Sequence, residues 1–149
     1  MQQCQGAVLM YRSPRMMTPP HRICRDEQFR RLCASMTRHG WRGRPLLALP
    51  TTGRRAITGS HRIAAARRVQ LERIPVFVLT PTVWRFMQAA WAVEYRKPYH
   101  RGFEVFYQHF TAGALWRGGY HRLAHILRYD WSCCDRCDQR LGDNCLSTS

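Results

Sequence analysis

The chain has 149 residues, 45% of them hydrophobic, and a formal net charge of +15. This length suits one domain with an appended piece, and the apolar share excludes a chain disordered throughout. No run approaches the ~20 apolar residues of a membrane-spanning helix.

The start, Met1-Gln2-Gln3-Cys4 and then the short apolar run 6–10, lacks the basic lead of a secretion signal. A cytoplasmic protein with no membrane partner is therefore expected. Seven cysteines, three of them scattered as Cys4, Cys24 and Cys33, argue against a disulfide framework. Of the 24 basic residues only Lys97 is a lysine, and nine residues are acidic. Such an excess of arginine attracts polyanions, which makes DNA a candidate partner.

Residues 1–20 carry breakers at Ser13-Pro14 and Pro19-Pro20 and read as poorly organised, except that 7–11 can supply an edge strand. A helix should begin at Asp26-Glu27, whose acids favour its positive end. Phe29, Leu32, Cys33 and Met36 recur at helical spacing as its buried stripe, and Gly40 ends it. Trp41-Arg42-Gly43-Arg44 is a basic loop. Residues 46–49 then read as a buried strand, 50–53 as a turn, and 54–58 as the paired return strand.

A strand that ends at Gly59 and passes straight into a helix over 60–71 is the most informative stretch. Gly59 permits a backbone conformation that a Cβ resists, and close approach by a ligand. Ser60 is expected as the helix N-cap. The free N–H groups of the first turn favour an anion. Arg62 adds a fork of donors suited to phosphate, and His61 a donor or acceptor beside it. The same residues also fit a plain structural cap with a solvated arginine. Arg67 and Arg68 suit the negative end of the helix without further function.

Residues 74–79 form a short continuous apolar run, as in an inner strand. Thr80-Pro81 then opens a helix with a cap residue and a proline at its first position. Trp84, Met87, Ala90, Trp91 and Tyr95 form its core stripe, and Pro98 closes it. Two more helices are expected, over 103–116 and 120–129, divided by Gly118-Gly119. In the tail, Cys134 and Cys137 have the gap of a zinc knuckle, with Cys145 and His125 or His121 as the remaining donors. No second knuckle accompanies them, so a flexible tail without metal is preferred and zinc is the alternative.

The pieces His21-Arg22, 26–36, His39-Gly40-Trp41, 45–49, Ile57-Thr58-Gly59-Ser60-His61-Arg62 and Ile74-Pro75-Val76-Phe77-Val78-Leu79 run in one order that resembles the ParB/sulfiredoxin superfamily. The resemblance covers about two-fifths of the chain, residues 22–79. It implies an α/β (α+β) fold: a small mixed sheet flanked by helices at 21–80, here with a helical C-terminal extension at 81–130 and a tail at 131–149. It also implies that the Gly-x-x-Arg turn holds nucleotide phosphates, with Arg22 and Arg44 nearby.

Two departures stand out. Ser60 occupies the place of the catalytic cysteine of sulfiredoxins, so thiol chemistry is lost there. Glu94-Tyr95-Arg96-Lys97-Pro98 stands where ParB proteins carry Glu-Asn-x-x-Arg, and it lacks the asparagine.

The expected function is a nucleotide-binding module that holds CTP or an ATP/ADP-type ligand at Gly59, Ser60, His61, Arg62, Arg22 and Arg44. Mg2+ would ride on the phosphates, DNA would be associated, and a homodimer is compatible with this reading. One alternative is a phosphoryl-transfer or nuclease-type enzyme with His61 as the catalytic proton carrier. It needs a metal-binding carboxylate, and acids are few in the core. The other is an interaction protein that keeps the fold without a ligand.

Overall fold

One strand with apolar side chains on both faces decides the architecture. The computed structural model describes residues 4–20, 22–23, 26–98 and 108–130. In chain order these form β1 (Ala7–Arg12), a 3-10 turn (Pro14–Met16), α1 (Asp26–His39), β2 (Leu46–Ala48), α2 (Ser60–Arg68) and β3 (Ile74–Leu79). Three further helices follow: α3 (Pro81–Tyr95), α4 (Gln108–Arg117) and α5 (residues 121–130). The class is α+β, with a small mixed sheet flanked by helices.

The strand order is β1-β3-β2, so β3 is central. It pairs antiparallel with β1, Leu9 opposite Phe77, and parallel with β2, Leu47 opposite Phe77. Alternation along the strands then sorts the side chains into two cores. Leu46, Ala48, Ile74 and Val76 face a cluster shared with Met36, Ile63 and Ala66, where α1 and α2 pack. Leu47, Leu49, Phe77 and Leu79 face the other cluster, with Val83, Met87 and Trp91 of α3, Leu115 of α4, and Leu123 and Leu127 of α5. The sheet is thus covered on both faces beside β3. On β1, Val8 and Met10 remain exposed.

Several local expectations are met. β3 has the expected limits, and β1 is the edge strand. Thr80 caps α3 by accepting from the Val83 amide at 3.3 Å, with Pro81 at the first position. Trp84, Met87 and Trp91 are buried core residues.

Others are corrected. The return strand over 54–58 is reduced to isolated bridges. The Leu49 amide donates to Arg55 O and the Ile57 amide to Leu47 O, both at 2.9 Å. The Leu47 amide, however, donates to the Thr58 hydroxyl at 3.1 Å, which stops the ladder. α2 ends at Arg68, short of 71. Gln70 takes φ 61°, its amide bonding Arg67 O and the Leu71 amide bonding Ala66 O. That is the paired closure of a left-handed helix stop, made here by glutamine instead of glycine. Of the expected α1 stripe, only Met36 is fully buried; Phe29, Leu32 and Cys33 pack at the margin of their core.

The segment ahead of α1 is tied to α2. Met17 is 1% exposed, and Arg67 donates through Nε to Pro14 O at 3.0 Å and through Nη2 to Met17 O. Arg67 therefore does more than complement the helix dipole.

Candidate functional site

Gly59 has φ 88° and ψ 35°, the left-handed region. A Cβ built there would lie 2.2 Å from Leu46 Cδ2, so only glycine fits between β2 and the start of α2. Gly59 itself is the N-cap residue, without a side-chain cap bond. The expectation that Ser60 caps the helix is corrected: Ser60 is its first helical residue and is 3% exposed. The cap position must supply the left-handed turn, which serine tolerates poorly. His61 is 7% exposed.

Arg62 does not reach into solvent, and its side chain is 13% exposed. Its Nη1 donates to the Arg44 carbonyl at 2.6 Å and its Nη2 to Asp130 Oδ2 at 3.3 Å. Its guanidinium lies 5.1 Å from the centre of the Trp41 ring. Arg44 donates through Nη2 to Asp130 Oδ1 and lies 3.9 Å over the Tyr129 ring. One carboxylate, 8% exposed, therefore bridges two guanidiniums brought from the loop before β2 and the first turn of α2. Such charge-assisted bonds suit an acid with two oxygens, and each ring adds a cation–π contact.

The structure brings Arg44 and Arg62 together, and holds Gly59, Ser60 and His61 in the turn that carries Arg62. Arg22 is exposed on the segment ahead of α1. Asp130, Trp41 and Tyr129 are the participants missed in the sequence. The expected open anion corner is also changed: the chain's own Asp130 carboxylate sits on the arginines. Two donors at this corner, Trp41 Nε1 and Arg44 Nε, are buried without a hydrogen-bond partner among the described residues. Beside Trp41 opens a cleft of about 390 Å³, lined also by Leu9, Tyr11, Gly43, Pro45, Arg73 and Pro75.

The cysteine donors of the zinc alternative, Cys134, Cys137 and Cys145, lie outside the described residues. His125 is exposed on α5, and His121 stacks on Trp116 at 4.2 Å between ring centres. Among the described residues no helix is long and apolar enough to cross a membrane.

No family model matches the sequence, and no curated protein matches it. The solved structures similar to it include two of ParB proteins. It is a likeness of fold. One is the C-terminally truncated chromosome-partitioning protein ParB from Caulobacter crescentus complexed with CTP-gamma-S. It is 17% identical over 72% of this chain and 62% of that chain, with a TM-score of 0.44. The other is a Pnob8-like ParB-N domain, 12% identical over 78% of this chain and 49% of that chain, with a TM-score of 0.39. The chain thus matches about three-fifths of the first structure and half of the second.

Proposed function

We propose that the chain is a ParB-like nucleotide-phosphate-binding module that holds the phosphates of a CTP- or ATP/ADP-type nucleotide at the Gly59–Arg62 turn. The observation that carries this reading is the convergence of the Arg44 and Arg62 guanidiniums on a single anionic group at the start of α2. Among the described residues two arginines meet one carboxylate there, beside the positive end of a helix. The cleft that meets this corner through Trp41 and the Gly43–Pro45 loop is the seat this reading gives the base or sugar. Mg2+ would accompany a triphosphate. The charge of +15 supports DNA association, which should weaken steeply as salt rises.

Binding is favoured over catalysis. His61, the one local proton carrier considered, is buried, and the Asp130 carboxylate is engaged by two arginines. A second reading has its own observation. Asp130 already pairs with both arginines, as expected of a protein that keeps this fold without a ligand and uses the ion cluster as a lock.

Thermal shift with CTP, ATP and ADP, with and without Mg2+, separates the two. A ligand of the folded state raises the melting temperature by mass action, and Arg62→Ala should abolish the rise. No rise with any nucleotide refutes the module and leaves the lock. Turnover of a nucleotide or DNA that is lost in His61→Ala would instead establish the enzyme.

A further inference from the structure

Resting on the reading above, we infer that Asp130 is an internal stand-in for the ligand's anion and that binding must displace it, loosening α5 around Tyr129 and Asp130. The contact is exclusive. Asp130 takes the Nη2 donor of Arg44 on one oxygen and the Nη2 donor of Arg62 on the other. A phosphate seated where the carboxylate now lies between the two guanidiniums would meet it as a like charge in the same space, so the two cannot coexist there.

The contact is also conditional. Asp130 lies on α5 beyond the buried anchors Leu123 to Leu127. What holds it there is the pair of arginines. Tyr129, the preceding residue, is 55% exposed and touches the same arginine, Arg44. The body of the helix is anchored separately, through buried Leu123, Ala124, Ile126 and Leu127. The stretch that carries Tyr129 and Asp130 can therefore loosen while residues 123–127 stay packed.

The corner also suits an anion richer in oxygen than a carboxylate. Trp41 Nε1 and Arg44 Nε are buried donors with no acceptor among the described residues. A phosphate brings further acceptor oxygens and more charge to these donors and to the arginines. The ligand and the Asp130 carboxylate thus compete for one site, and each weakens the other by the same factor.

The test is the affinity for inorganic pyrophosphate and for CTP, by calorimetry, in the unaltered protein and in Asp130→Asn. The substitution keeps the side-chain shape and removes the competing charge. We expect binding on the order of tenfold tighter in Asp130→Asn, within the usual range of coupling between two sites. Equal or weaker binding in the variant overturns the stand-in while leaving nucleotide binding intact. Absence of binding to both proteins overturns the stand-in together with the proposed function.

If Asp130→Asn does not fold, amide hydrogen exchange on the unaltered protein decides. Saturating CTP should speed exchange at Tyr129 and Asp130 and leave Leu123 to Leu127 protected. Unchanged or slower exchange at 129–130 in the CTP-bound protein shows that Asp130 stays in place, and overturns the inference.

Discussion

Gly59→Ala offers a measure of how tightly the turn is built. The substitution places a Cβ on a residue with φ 88°, where a left-handed backbone costs a residue with a Cβ about 1–2 kcal/mol. It also drives that Cβ to 2.2 Å from Leu46 Cδ2. Leu46 is fully buried between β2 and the α1–α2 layer, so it cannot swing outward. Overpacking of that kind costs roughly a further 1–3 kcal/mol. The expected total is about 3 kcal/mol, or a melting temperature lower by roughly 6–12 °C for a chain of this size.

Gly43→Ala is the internal control. Its φ is 93°, but a Cβ there meets nothing within 4 Å, so only the backbone cost of about 1 kcal/mol remains. Urea unfolding of both variants, read at the midpoint with an unchanged slope, gives the comparison. If Gly59→Ala is no more destabilising than Gly43→Ala, the close approach of Leu46 is not a constraint and the reasoning fails.

Three other outcomes are expected. A double-mutant cycle on Arg62→Ala and Asp130→Ala should return a coupling of about 1–3 kcal/mol in unfolding free energy, since both groups are largely buried and in contact; additive losses would show that they do not interact. Thr80→Ala should cost about 1 kcal/mol by removing the acceptor of the Val83 amide, read by the same urea titration, with no effect on nucleotide affinity. Burial pushes the Cys4 thiol above its ordinary range, with the Arg122 charge opposing. The folded chain then keeps a proton that the unfolded chain releases, so stability falls as pH rises above the ordinary thiol range. Comparing unfolding at pH 7.5 and at about pH 10 should show a smaller loss in Cys4→Ala; an equal loss would assign the pH dependence to other groups.

The sequence made the central elements legible wherever a local rule had no rival. A continuous apolar run bounded by Arg73 and Thr80 can only be a strand covered on both sides, and β3 is that strand. Thr80-Pro81 is an unambiguous helix start. Reading failed where a side chain did a job usually left to another. Thr58 took the hydrogen bond that would have extended the 54–58 strand. Gln70 adopted the left-handed stop that a glycine would have announced. Gly59 took the cap position that Ser60 resembled.

The site divides along the same line. Gly59 and Arg62 were legible because the turn is local. Asp130 was not, because it lies 86 residues from Arg44 and 68 from Arg62 in the chain. The signal it offered was a lone acid on an arginine-bearing helix, between Tyr129 and Trp131.

The bonds from Arg67 to Pro14 O and Met17 O have a practical bearing. They fasten the far end of α2, the helix whose beginning presents Arg62, to a segment that a composition-based truncation would discard. Trimming the protein back to Asp26 would strip β1 from the sheet, remove both carbonyl anchors and uncover the pocket that Met17 fills. The opening residues are best treated as footing for the corner that Arg44 and Arg62 share, and any minimal version of the protein should retain them.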